Sequence, residues 1–151
     1  MNRTVKAAAL LLAALLMLLS FACTGVEKPA ADPGAAFSRI LSEVTFAAPL
    51  EDNSEYAEFM FGELPEGTQI KMHAAGGQYV DTAILFTAPS EADLPAVRAA
   101  AEAYLASVKE EFRLYHPEEV PKLDDAVIYT AGSSLILVVT EDVETVNSIL
   151  Y

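Results

Sequence analysis

The sequence predicts a single α+β domain with about four mainly antiparallel strands in a ββαββ arrangement. One long helix packs on the sheet, and short helices lie at the N- and C-terminal ends. Three observations support this fold class. A chain of 151 residues suits one domain. Residues 93–115 have the apolar periodicity of an amphipathic helix. Two segments, 68–87 and 126–140, each read as a pair of strands joined around glycine.

The first two predicted helices precede the strands. Asp32 followed by Pro33 is typical of a helix N-terminus, and apolar residues then recur at helical spacing, which predicts a helix over 33–46. A second, short helix is expected to end at Gly62. The side chains expected to be buried by this short helix are Tyr56, Phe59 and Met60.

The first predicted hairpin joins strands at 68–74 and 79–87 through Gly76 and Gly77. A strict two-residue turn would place Met72 opposite Asp81. A longer loop is preferred, because a one-residue slip exchanges the buried and exposed faces of a strand. The preferred register sets Ile70 opposite Ile84, Met72 opposite Thr82 and His73 opposite Asp81. His73 is then a solvent-facing partner of a carboxylate rather than a ligand.

The long helix is predicted over 93–115, and its apolar stripe is expected to cover the sheet. The stripe consists of Leu94, Val97, Ala101, Tyr104, Leu105, Val108, Phe112 and Tyr115. After His116 and Pro117, the segment "PEEVPKLDD" reads as an exposed loop, with its paired carboxylates solvated. Strands follow at 126–131 and 135–140, and their nearly continuous apolar runs place one of them in the sheet centre. Asp142 is expected to cap a short last helix.

The N-terminal segment has the organisation of a secretion signal. Arg3 and Lys6 precede an uncharged apolar run over 7–19, which is too short to span a bilayer as a helix. Small residues and Cys23, the only cysteine, follow directly. This arrangement resembles a bacterial lipoprotein signal, which implies that Cys23 receives a diacylglyceryl group and becomes the first residue after cleavage. The alternative is a plain secreted protein cut near Ala22 with a free thiol.

The resulting organisation is a signal peptide at 1–22, a lipidated cysteine with a flexible tether at 23–34, and a domain at 35–151. Extended, the 11 residues after Cys23 could hold the domain up to about 35 Å from a membrane. Two of the nine Lys and Arg precede Cys23, so seven remain against 22 Asp and Glu, and the mature charge is about −15. This acidity disfavours nucleic-acid binding. The expected location is the extracytoplasmic side of the cell membrane, with the bilayer as a partner through acylated Cys23.

No catalytic or metal-binding pattern is found in the sequence. The two histidines, His73 and His116, are far apart, and no nucleophile motif or zinc spacing accompanies them. The most particular segment is 115–122. It is read either as a structural corner in which Tyr115 packs on the core, or as the rim of a binding site. The candidate rim residues are Arg113, Tyr115, His116 and Lys122.

From about Phe59 to its end, the chain resembles small envelope lipoproteins of Gram-positive anaerobes that carry the domain of unknown function 4358. The resemblance rests on "FMFGEL", "MHAAGG", a long helix ending in "YHPEEVPKLDDAVI", and a glycine-centred hairpin. It implies an architecture and a location, but no activity, cofactor or catalytic residue. The leading hypothesis is therefore a non-enzymatic binding or scaffold module that recognises an envelope protein or a small ligand. The alternative is an accessory solute-binding or sensing lipoprotein beside a transporter or receptor, and a hydrolase is a distant third.

Overall fold

The computed structural model describes residues 32–151, which form five helices and five strands. The helices are α1 (Pro33–Glu43), α2 (Ser54–Ala57), α3 (Leu94–Tyr115), α4 (Val120–Asp124) and α5 (Val143–Leu150). The strands are β1 (Glu51–Asp52), β2 (Gln69–Ala74), β3 (Thr82–Thr87), β4 (Val127–Ala131) and β5 (Ser134–Val139). Short 3₁₀ turns precede α3 and α4. The predicted signal peptide, Cys23 and the tether up to residue 31 lie outside the described residues.

The strands form one antiparallel sheet in the order β1-β2-β3-β5-β4. The predicted ββαββ arrangement is confirmed, because α3 connects the β2–β3 hairpin to the β4–β5 hairpin. The additional strand, β1, contains only two exposed acidic residues. Its sequence therefore has none of the alternation by which the other strands are recognised.

Both faces of the sheet are covered by helices. α1 and α5 pack on one face, against side chains such as Leu85, Ile136 and Val138. α3 packs on the other face, against side chains such as Phe86 and Leu137. β3 and β5 are buried on both sides, which explains their nearly continuous apolar sequences. Of the two strands predicted from residues 126–140, β5 lies inside the sheet and β4 lies at its edge.

The pairing of β2 with β3 differs from the predicted register by two residues. Met72 lies opposite Ile84, and His73 lies opposite Ala83 rather than Asp81. Because the difference is an even number, the apolar face of β2 still points inward. The ladder continues to an Ala75 N–H that donates to the Asp81 carbonyl at 2.8 Å, so the connecting loop is longer than expected.

Two expectations for the N-terminal helices are wrong. α1 begins at Pro33 with Asp32 as its cap, as predicted, but it ends at Glu43 rather than at residue 46. α2 is only four residues long, so no helical stripe continues toward Gly62. Consequently, the three side chains expected to be buried are exposed, and Ala57 and Phe61 are buried instead. The exposed ones are Tyr56 (61%), Phe59 (80%) and Met60 (45%).

The predicted tether over 23–34 and the predicted helix over 33–46 overlap at Pro33 and Gly34. The structure places both residues in α1. Among residues 32–151, none of the helices has the length and apolar composition that crossing a bilayer requires.

Candidate functional site

A buried ion cluster, consisting of Asp81, Glu119 and Lys122, lies where β3 begins. The Lys122 ammonium group donates to Asp81 Oδ2 and to Glu119 Oε2, at 2.9 Å in each case. The side chains of Lys122 and Asp81 are 5% and 1% exposed. Two sequence-distant segments therefore bring three ionisable groups together out of solvent. Such an arrangement is stable only when every charge is paired.

Backbone amides complete the ion cluster. Asp81 Oδ1 accepts from the Ala47 N–H at 3.1 Å, and Glu119 Oε2 accepts from the Val80 N–H at 3.1 Å. Burial by itself lowers the pKa of Lys122, but hydrogen bonds and the charges of the two carboxylates outweigh burial and raise that pKa. The cluster places one ammonium group between two carboxyl groups, and it links the segment after α1 to β3 and α4.

The predicted exposed loop after α3 is instead a folded segment. A 3₁₀ turn over Pro117–Glu119 leads into α4, and Leu123 is buried together with Glu119 and Lys122. The prediction that Lys122 lies on a binding rim is therefore wrong, and so is the reading of Glu119 as solvated surface. The local sequence, which is a run of charged residues, does not predict this burial. The ion partner Asp81 is 41 residues away along the chain.

The other candidate rim residues lie near the C-terminal end of α3. Arg113 forms an ion pair with Glu110 at 2.6 Å, and half-buried His116 lies 3.5 Å from a Glu118 oxygen. Tyr115 is 72% exposed, so the reading in which it packs on the core is wrong. These side chains remain at the surface and do not join Lys122.

A cavity of about 360 Å³, here called the aromatic cavity, lies between α2, α3 and the loop that connects β2 to β3. Large apolar side chains supply much of its wall: Tyr56, Met60, Met72, Tyr79, Tyr104 and Phe112. Polar groups at the wall include Asn53, Asp81, Thr82 and Glu111. Asp81 therefore contributes to the cavity as well as to the ion cluster.

The wall of the aromatic cavity is acidic. Its lining includes the carboxylates of Asp81 and Glu111 and no lysine or arginine. Burial, and secondarily the charge of Glu111, raise the pKa of Tyr104 to about 12. The Tyr104 hydroxyl is therefore neutral at physiological pH. The cavity combines carboxyl groups with aromatic side chains and hydroxyl groups.

Sequence reasoning missed the cavity because its residues are scattered over three segments. Tyr104, Val108 and Phe112 belong to the apolar stripe of α3, which the sequence predicts to be buried against the sheet. In the structure these three side chains are only half-buried. Tyr79 was assigned to a strand, whereas β3 begins at Thr82. The sequence feature that could have indicated the cavity is the pair of aromatic residues Tyr104 and Phe112 in the α3 stripe. Within residues 32–151, His, Cys, Asp and Glu form no group of three that could hold a metal ion.

Residues 68–140 match a family model described as Domain of unknown function (DUF4358). The match confirms the resemblance predicted from the sequence. It includes the whole ion cluster and much of the aromatic cavity, but not the "FMFGEL" segment. Searches of curated proteins and of solved structures found no match.

Proposed function

We propose that this protein is a membrane-anchored lipoprotein of the cell envelope whose domain binds a small solute in the aromatic cavity without catalysing a reaction. The cavity is the observation that carries the proposal. Its volume of about 360 Å³ lies at the small end of the range of roughly 300–1,000 Å³ that is usual for ligand pockets. Its wall also has the usual composition, in which apolar side chains predominate and a few polar groups orient the ligand.

One side of the cavity is held rigidly. The Phe61 ring lies with its centroid 4.8 Å from those of both Phe86 and Tyr104, which supports Tyr104 from behind. Asp81 is fixed by Lys122 and by the Ala47 N–H. A site whose groups are already in position loses less entropy when a ligand binds.

The other side of the cavity is adaptable. Tyr56 and Met60 line the cavity and are also substantially exposed. Methionine is unbranched and flexible, and it adjusts to ligands of different shape. The combination of a rigid wall and a movable side favours binding of a solute over a flat contact with a protein.

The lipoprotein part of the proposal is supported by Cys23 and the residues around it. Acylation at Cys23 would attach two chains, which are enough for stable anchoring. The signal would direct the domain to the extracytoplasmic side, where a tether allows it to meet solutes beside a transporter or receptor.

A second candidate function, a scaffold that binds another envelope protein, is favoured by a different observation. Three large apolar side chains are highly exposed: Phe59 (80%), Leu114 (78%) and Tyr115 (72%). Leu114 and Tyr115 are also neighbours in the chain, and exposed apolar side chains that lie together at a surface mark protein contacts. The cavity nevertheless offers the more specific recognition, since it has defined walls and polar groups.

Blocking the cavity tests the proposal. Val108 lines the cavity from α3, and the neighbouring Ser107 is exposed on the same helix. We expect Val108→Trp to fill the cavity, whereas Ser107→Trp leaves it open. The intact protein in lipid nanodiscs is examined by saturation-transfer NMR with benzylamine, benzyl alcohol and benzoate. At least one probe should bind, and Val108→Trp but not Ser107→Trp should abolish its signal.

Two results would contradict solute binding. In one, none of the three probes gives a signal above that of empty nanodiscs. In the other, the signals persist in a folded Val108→Trp protein, so that the probes bind elsewhere.

A further inference from the structure

We infer that the solute class of the aromatic cavity is a small organic cation, with a methylated ammonium group on an apolar or hydroxylated body. This inference rests on the proposed function and specifies its ligand. It is carried by the aromatic rings and carboxylates that line the same cavity. Three tyrosines and one phenylalanine line the cavity together with Asp81 and Glu111.

Aromatic rings attract cations through their faces. The face of a tyrosine or phenylalanine ring is electrically negative, and a cation within about 6 Å of the ring centre is attracted to it. Tyr56, Tyr79, Tyr104 and Phe112 come from the three sides of one cavity, so a ligand inside it meets several rings. A methylated ammonium group spreads its charge over methyl groups, which pack well against rings and methionine side chains.

Lys122 places a positive charge close to this wall but does not line the cavity. Its ammonium group is bound to Asp81 and Glu119 and lies 6.0 Å from the centre of the Tyr79 ring. Counted formally, the ion cluster has one more negative group than positive, since it has two carboxylates and one ammonium group. Glu111 adds a second negative charge and makes no ion pair among the described residues.

The same charges exclude anions. A carboxylate or phosphate that entered the cavity would meet Asp81 and Glu111 with no lysine or arginine in the lining. The mature chain, at about −15, also repels anions at long range and attracts cations. Charge therefore selects the class of solute, and the aromatic and methionine side chains select its shape.

Three probes that have nearly the same shape but different charges distinguish the effect of ligand charge on binding from the effect of ligand shape. Choline, 3,3-dimethylbutan-1-ol and 3,3-dimethylbutanoate share a branched head and differ in carrying a positive, zero or negative charge. We expect choline to bind the intact protein in nanodiscs about tenfold more tightly than the neutral alcohol in NMR titrations. The carboxylate should bind most weakly. Val108→Trp should abolish choline binding.

Glu111→Gln provides the charge test, with Glu110→Gln as its matched control. Glu110 is an exposed neighbour on the same helix and is paired with Arg113. We expect Glu111→Gln to weaken choline binding several-fold and to leave binding of the neutral alcohol unchanged. Glu110→Gln should change neither.

The inference is overturned if the alcohol or the carboxylate binds as tightly as choline, if none of these probes binds, or if choline binding survives Val108→Trp. Solute binding itself is tested separately with benzylamine, benzyl alcohol and benzoate. A cavity that binds benzyl alcohol or benzoate in a Val108-dependent way, but does not prefer choline, would retain the proposed function and lose the cationic ligand.

Discussion

Lys122 illustrates how much a single residue depends on the complete fold. In the sequence it stands in "PEEVPKLDD", where five of the nine residues are charged and nothing distinguishes Lys122 from a solvated lysine. In the structure it is 5% exposed and lies between two carboxylates. No local pattern could predict this, because the partner Asp81 belongs to a different segment. Because the segment has no repeated apolar period, the sequence predicts that it is exposed.

Lys122→Met should lower the free energy of unfolding by about 3–5 kcal/mol, because it leaves two buried carboxylates close together without a counter-charge. Urea denaturation of wild type and variant measures the difference. Lys109→Met is the matched control. Lys109 pairs with exposed Asp124, so its replacement should cost less than about 1 kcal/mol. Equal losses for the two variants would show that the ion cluster has no special stabilising role.

At the scale of elements, Asp142 connects the first helix to the last. It caps α5, as the sequence predicts, by accepting from the Thr145 N–H at 3.3 Å. It also accepts from the Thr45 N–H at 3.0 Å, just after α1. The Thr140 hydroxyl donates to the Thr45 carbonyl at 2.8 Å and strengthens the same junction. The cap follows from local sequence, but the contact with Thr45 depends on how α1 and α5 meet on the sheet.

Asp142→Asn should reduce stability in a pH-dependent way. The hydrogen bond from the Thr45 N–H, and then those of Thr145, lower the pKa of Asp142 in the folded state. A lowered pKa means that the carboxylate stabilises the fold above its unfolded value of about 3.9, and that this stabilisation is lost as the pH falls through the folded value. The melting temperatures of wild type and variant should therefore differ at pH 7 and converge toward about pH 2–3.

The control for this prediction is Asp125→Asn. Asp125 is exposed and makes no side-chain hydrogen bond within residues 32–151. Its replacement should leave the melting temperature nearly unchanged at every pH. A constant difference between wild type and Asp142→Asn down to pH 2 would mean that packing, rather than charge, explains the effect.

The long elements were predictable because periodicity accumulates over many residues. The α3 helix has six turns of apolar pattern, and each of the main strands has five or six residues. β1 and α2 have two and four residues, too few to establish a period. Their positions are decided by tertiary contacts, such as the Met72 N–H that donates to the Ser54 hydroxyl at 3.0 Å. The aromatic cavity borders α2, and because α2 is too short to be predicted from the sequence, the cavity could not be predicted either.

At the scale of the whole molecule, the acidic domain and the proposed anchor act together. A surface of about −15 is repelled by anionic lipid headgroups, so the domain is expected to stand away from the bilayer rather than lie on it. The cavity then remains accessible to solutes.

Cys23→Ser should release the protein from membranes into the soluble fraction. The serine hydroxyl cannot form the thioether that attaches the lipid. Membrane fractionation followed by high-salt and carbonate washes measures the release, with Ser20→Ala as the matched control that keeps the cysteine. A Cys23→Ser protein that still sediments with membranes through both washes would contradict the lipid anchor.

The short strand β1 lies at one edge of the sheet and covers one end of β2. Glu51 and Asp52 pair with Ala74 and His73, and the Asn53 N–H donates to the Met72 carbonyl at 2.8 Å, so this end of β2 is already occupied. An open edge would let neighbouring copies join strand to strand, and copies anchored in one membrane, as we propose, would meet often. Two carboxylates at the rim of the sheet make such joining unfavourable. We therefore expect the smallest strand to disfavour strand-to-strand joining at this edge of the sheet.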